Sequence, residues 1–283
     1  MMKSKKFILE EVGNTPHILI PSLFDNNKKL ILKLENKNPS GSIKDRLARL
    51  IITNNPNQKI FVDATIGNFV ISLSWFTSIL GKKTIIFVRD NTDYIVLDRI
   101  KKYGGNIIFS DAKNQEELNF IAKRYAIEND YFYCGSPSGI EYKSSLGIEI
   151  YKEIADLDFN SVVSYYGSGA TLDGLKENLS PKISIIMSGS DFTPKIKGTD
   201  EMKYQYVHED MVMKTQDYLL KKCGIHSGII GATSATVAMK LLKDNKIKKP
   251  LVFISDSPYS SIQPINIRFD KSNISWFRKI FPC

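Results

Sequence analysis

The chain has 283 residues, 42% of them hydrophobic and 24% charged, with a formal net charge of +9. That length buries a sizeable core in one large or two modest domains, and the composition is that of an ordinary globular protein, which excludes disordered and fibrous classes. The basic excess does not point to nucleic acid, because lysines such as Lys101, Lys152, Lys221 and Lys240 are scattered over helix faces without a basic stripe interleaved with aromatics.

In chain order, Met1 to Lys6 is basic but lacks the sustained apolar stretch of a signal peptide. No apolar run approaches the roughly 20 residues of a membrane span, so a cytoplasmic location with no membrane partner is expected. The first β-branched apolar run covers 29–35 and is followed by a helical period over 43–53. Strands are then predicted at 59–63, 84–88 and 106–109, each followed by a helix, at 68–80, 93–103 and 113–128. A helix at 143–156 precedes strand 160–166, helix 170–178 and strand 182–187. The stretch 189–205 breaks the alternation and reads as a long loop, before helices at 211–222 and 231–243 and a last strand at 250–255. Such alternation predicts an α/β fold with parallel sheet and crossover helices. Cys134, Cys223 and Cys283 are too few and too far apart for a disulfide framework, and His17, His208 and His226 are too dispersed for a metal site.

Chemistry concentrates where predicted strands hand over to helices. Lys44, in Pro39-Ser-Gly-Ser-Ile-Lys-Asp-Arg46, opens a helix directly after an apolar strand, where its amine can hold an aldehyde cofactor; the bland alternative is a solvated charge. In Thr65-Ile-Gly-Asn-Phe-Val70, Asn68 can bond a phenolic oxygen or cap the following helix. Gly167-Ser-Gly-Ala-Thr171 combines small residues with two hydroxyls before a helix, which suits an anion such as phosphate or a tight capped turn. Gly174 falls at the wrong offset for the dinucleotide pattern, and no Gly-Lys-Ser/Thr phosphate loop is present. Ser257, just beyond the last strand, can bond a neutral ring nitrogen, whereas the adjacent Asp256 would hold that nitrogen protonated.

Taken together, Gly13-Asn-Thr-Pro16, Lys33-Leu-Glu-Asn36, Asn38-Pro39 and Ser42-Ile-Lys-Asp-Arg46 resemble the N-terminal signature of the cysteine synthase and cystathionine β-synthase family, fold type II pyridoxal phosphate enzymes. The resemblance continues through Thr65 to Val70, Gly167 to Thr171, Pro194-Lys-Ile-Lys-Gly198, Gly231-Ala-Thr-Ser-Ala-Thr236 and Ser257, along nearly the whole chain. It implies two doubly wound α/β domains, a smaller mobile one at 38–146 and a larger one at 1–37 plus 147–283, with the cofactor in the cleft between them and a homodimeric assembly. It also implies roles. Lys44 would link to pyridoxal 5'-phosphate and move the substrate's α-proton, and Asn68 would hold the ring 3-oxygen. Gly167, Ser168, Gly169, Ala170 and Thr171 would hold the phosphate, and Ser257 the ring nitrogen. Thr65, Gly67 and Asn68 would face a small amino-acid substrate; at Thr199 and Asp200, where the chain departs from the family, the acidic group would serve as acid, base or ammonium partner, or else point to solvent. The activity implied is β-replacement or β-elimination on a serine- or cysteine-type amino acid by way of an aminoacrylate, as in a cysteine synthase or a specialised β-substituted alanine synthase.

Departures from the pattern are as informative. Hydroxyls that flank Gly-Asn in the family are here Ile66 and Phe69. Each lost hydrogen bond to a substrate carboxylate costs about 1.5 to 3 kcal/mol, so replacement donors are required. The family's carboxylate-binding glutamine has no counterpart in Tyr133-Cys-Gly-Ser-Pro137, and Thr199-Asp-Glu201 replaces a glycine-rich run. These changes also motivate an alternative, a non-catalytic or regulatory paralogue that retains the cofactor pocket.

Overall fold

Strand residues that alternate between two apolar faces need a helical layer on each side, and this requirement organises the chain into two sheets. The computed structural model describes residues 3–135, 142–193 and 203–259. Its helices are α1 (Lys3–Glu10), α2 (Lys44–Asn54), α3 (Asn68–Ile79), α4 (Tyr94–Lys102), α5 (Gln115–Glu128), α6 (Lys143–Ile154), α7 (Ala170–Lys176), α8 (Glu209–Cys223) and α9 (Ile229–Lys243). Its strands are β1 (His17–Ser22), β2 (Asp25–Lys33), β3 (Ile60–Asp63), β4 (Lys83–Arg89), β5 (Gly105–Ser110), β6 (Phe132–Tyr133), β7 (Ser161–Tyr165), β8 (Ser184–Ser190), β9 (Lys203–Val207) and β10 (Pro250–Phe253). No helix among them is long and apolar enough to cross a membrane.

The larger sheet has the order β1-β2-β10-β7-β8-β9, parallel except for the β1–β2 hairpin. Along β7, Val162 packs into the cluster built from Ile150 and Ile154 of α6 and Leu172 and Leu175 of α7. Val163, one residue on, joins Leu219 of α8 and Ala235 of α9 on the opposite face. The second sheet, β5-β4-β3-β6, is parallel throughout. There Phe61 and Ile86 pack with α2 and α3, while Val62 and Phe87 pack with Leu118 and Ala122 of α5. Both sheets are therefore covered on two faces, the doubly wound arrangement expected. Each apolar side chain so buried contributes about 1.5 to 3 kcal/mol.

All predicted strands and helices are present with shifted ends, but the periodicity does not mark α1, β1, β6 or β9. β1 is a largely exposed edge strand containing Pro21, a residue tolerated only where its missing N–H is not needed. β6 has two residues, too few to show a period. The loop expected over 189–205 is corrected at both ends, because β8 runs on to Ser190 and β9 begins at Lys203. Residues 194–202, with Thr199 and Asp200, lie outside the described residues.

Candidate active site

Lys44 is delivered by a segment stitched to the carboxyl end of β10. Asn36 N donates to Ile254 O at 2.8 Å, Ile43 N to Ser255 O at 2.9 Å and Ser257 N to Gly41 O at 2.8 Å, and Ser42 bridges Asp256. Gly41 turns the chain at φ +84, a left-handed value glycine adopts without strain. Lys44 is then the first residue of α2, and the next two residues anchor it from below. Asp45 is fully buried and accepts from the backbone N–H and hydroxyl of Ser40; burial pushes its carboxyl up to about 6 against those bonds. Arg46, also fully buried, donates to Glu35 at 2.7 Å and to Glu153 at 2.7 Å.

The carboxyl ends of β3, β7 and β10 surround a cavity of about 310 Å³. Lys44, Gly67, Asn68, Gly167, Ser168, Gly169 and Thr171 all line it. The Lys44 Nζ lies 3.5 Å from Ser168 Oγ. Lys44 is half-buried as a residue, and burial around its amine lowers its pKa, which favours the neutral, nucleophilic form. Ala170 is buried behind the loop without facing the cavity. Thr65 adjoins it, with a buried hydroxyl that has no partner among the described residues. Ser257 stands one residue beyond the wall, to which Ser255 and Asp256 contribute instead.

These residues fit a phosphorylated aldehyde. Gly169 has φ +83, and a Cβ there would lie 2.5 Å from the Tyr166 hydroxyl and 2.6 Å from the Asp173 carboxylate, so glycine alone is accommodated. Among the described residues no acceptor takes the N–H of Ser168 or Gly169. With the hydroxyls of Ser168 and Thr171 they form a donor set suited to a phosphate dianion. Gly67, not Asn68, is the cap residue of α3, and Asn68, the first residue of the helix, lines the cavity.

The two departures in the β3–α3 loop separate here. Ile66 is 46% exposed and lines the cavity, whereas Phe69 is 3% exposed and packs into the core with Leu47 and Phe76. Asp63 holds the loop by accepting from Ala64 N at 2.7 Å and Thr65 N at 2.9 Å, and Gln115 Nε2 donates to Ala64 O at 2.6 Å. Cys134 is buried, and burial followed by the charge of Asp63 raises its thiol pKa, which removes it as a nucleophile. Sequence reasoning missed Arg99 and Val96 of α4 on the cavity wall, because nothing in α4 itself reports which loop its face meets.

A cysteine synthase B from Pseudomonas aeruginosa is 26% identical over 269 residues, which cover 84% of this chain and 89% of the relative. A crystal structure of O-ureido-L-serine synthase superposes with a TM-score of 0.76 at 20% identity, covering 95% of this chain and 98% of the other. A hydrogen sulfide-producing enzyme from Fusobacterium nucleatum superposes with a TM-score of 0.75 at 21% identity, covering 90% and 99%. At such identities the two structures show the shared fold. Residues 8–199, more than half of the chain, match the family described as pyridoxal-phosphate dependent enzymes, and the chain belongs to that family.

Proposed function

We propose that this chain is a lyase or transferase of the cysteine synthase type, catalysing β-replacement or β-elimination on a serine- or cysteine-type amino acid. The observation that carries the reading is the convergence of Lys44, Asn68 and Gly167 to Thr171 on one cavity. Bound there, pyridoxal 5'-phosphate supplies an electron sink for negative charge at the substrate Cα. Lys44 is its attachment point and then holds or moves the Cα proton, a task suited to an amine whose pKa burial has lowered. Asn68 holds the ring oxygen, and the loop Gly167 to Thr171, with Ala170 as its backbone support, holds the phosphate. The ring nitrogen falls to the segment after β10, where Ser257 is the hydroxyl that bonds it in this reading and Ser255 and Asp256 line the adjoining wall. Departure of the β-substituent leaves a position that a nucleophile fills, or water releases pyruvate and ammonia. Thr65 and Gly67 line the approach to the substrate, joined by Thr199 and Asp200 in this reading.

The strands of the smaller sheet all fall within 38–146, which supports that segment as the unit that closes on the substrate and excludes water. Homodimeric assembly and a cytoplasmic location belong to the same reading, the first resting on the family resemblance and the second on the lack of a long apolar run in the sequence. A regulatory paralogue is the second reading, favoured by the apolar Ile66 on the cavity wall.

The test is the near-visible absorption of protein supplied with pyridoxal phosphate, followed through additions of cysteine, serine, O-acetylserine and O-phosphoserine. A band that shifts with an amino acid and is missing in Lys44→Ala is the expected result. A band that no amino acid moves favours the regulatory reading; no band in the wild type overturns the site.

A further inference from the structure

Arg99 stands on the cavity wall one helical turn from Val96, half-buried on α4. Among the described residues its guanidinium pairs with no carboxylate. Elsewhere the chain treats such groups differently: Arg46 is held by Glu35 and Glu153, and Arg49 by Glu149. Burial lowers the Arg99 pKa. A partly desolvated cation without a counter-ion is unfavourable, and an anion entering the cavity removes that penalty.

The other charged groups on the wall are already engaged. Lys44 is the cofactor's attachment point, and the Asp256 carboxylate accepts from Gly231 N at 2.8 Å and Ile230 N at 3.3 Å at the start of α9. Position separates Arg99 from the phosphate donors as well. Those donors come from the end of β7 in the larger sheet, whereas α4 follows β4, the neighbour of the strand whose end carries Ile66. The free cation therefore belongs to the side of the cavity where Ile66 brings no hydrogen-bond donor.

We propose that Arg99 binds the carboxylate of the amino-acid substrate and replaces the donors that Ile66 and Phe69 do not provide. A guanidinium presents a planar fork of N–H groups that matches a carboxylate, which neither lysine nor a hydroxyl does. The assignment rests on the pyridoxal phosphate reading above, and its test separates the two.

Arg99→Gln and Arg99→Lys are compared with wild type by titrating the near-visible band with cysteine, O-acetylserine, O-phosphoserine and cysteamine, which is cysteine without its carboxylate. The band before any addition reports that each variant folds and holds the cofactor. Arg99→Gln is expected to raise the half-saturating concentration of the amino acids on the order of 10- to 100-fold, with little change for cysteamine. Arg99→Lys is expected to recover part of the loss, because charge returns without the fork. Equal losses for cysteine and cysteamine, a loss confined to O-phosphoserine, or no loss overturns the assignment while leaving the cofactor reading intact. A wild-type band that responds to none of the amino acids removes the substrate reading and Arg99 with it.

Discussion

Ile66 and Phe69 sit three residues apart and meet opposite environments, one facing the cavity and one the core. Sequence alone could name both as lost hydroxyls but could not say which of them a substrate would meet. Phe69→Thr removes an aromatic ring from a packed cluster and buries a hydroxyl, so it is expected to cost about 3 kcal/mol or more in urea unfolding. Ile66→Ser, at a partly exposed position, is expected to change stability by less than about 0.5 kcal/mol and to lower the O-acetylserine concentration that moves the band. A Phe69→Thr variant as stable as wild type would contradict the packing described. Asn68 shows the same limit of local reading: a cap and a cofactor ligand look alike in sequence, whereas the fold puts Gly67 at the cap and Asn68 on the cavity wall.

Among the elements, α6 and α7 meet through glycine. A Cβ on Gly147 would lie 2.0 Å from Gly174 O, and one on Gly174 would lie 1.9 Å from Lys143 O, so backbone packs on backbone. Because α7 begins at Ala170, directly after Gly167 to Gly169, the spacing of the two helices sets where those three residues stand. Gly147→Ala is therefore expected to cost about 1 to 3 kcal/mol, although alanine is the better helix former by about 1 kcal/mol, and to loosen retention of pyridoxal phosphate on dialysis. Stabilisation by Gly147→Ala would show that the contact is not tight. The period read α6 and α7 correctly as helices. It could not reveal this contact, since it arises between elements distant in sequence. Edge strands β1 and β9 escaped for a related reason: in β1 the apolar Leu19 is exposed between Ile18 and Ile20, and most of β9 is only half-buried, so neither sequence alternates cleanly.

At the scale of the whole molecule, a charge network joins the start of the chain, β2, α2 and α6. Glu35 accepts from Thr15 Oγ1 at 2.7 Å, from Asn38 Nδ2 at 2.8 Å and from Arg46; Glu153 accepts from Arg46 and Lys33. Gly13 N donates to Asn38 Oδ1 at 2.9 Å. Many residues behind the family resemblance are thus scaffold that fixes α2, and with it Lys44, against the larger sheet. Burial acts to raise the Glu153 carboxyl, but the bonds and charge of Arg46 and then Lys33 bring it down to about 2. A depressed carboxyl contributes stability that is fully present above its ordinary value near 4.5 and is lost as pH falls toward about 2. Glu153→Gln is accordingly expected to lose about 3 kcal/mol near pH 7, with the difference from wild type shrinking as pH falls below about 4.5. Urea unfolding of both proteins between about pH 8 and about pH 3 measures this, and a difference independent of pH would contradict the ionic origin. Asp45 works in the opposite sense: its carboxyl is raised to about 6, so its ionised form costs stability above that pH and the cost is relieved toward 3.8.

What the sequence determined by itself was local chemistry and its order: alternating strands and helices, a lysine at a strand-to-helix junction, a glycine-rich loop with hydroxyls, and a family pattern spread along the chain. Strand periodicity and helix starts are set by neighbouring residues, so they are written locally. Tertiary structure alone decided which side chains share the cavity, because Lys44, Asn68, Arg99, Gly167 and Asp256 come from separate crossovers of two sheets. It put Ser255 and Asp256 on the cavity wall, turned Phe69 into the core, and set Arg99 and Ile66 on the same cavity. Those outcomes depend on how sheets and helices pack at long range, and no spacing along the chain encodes them.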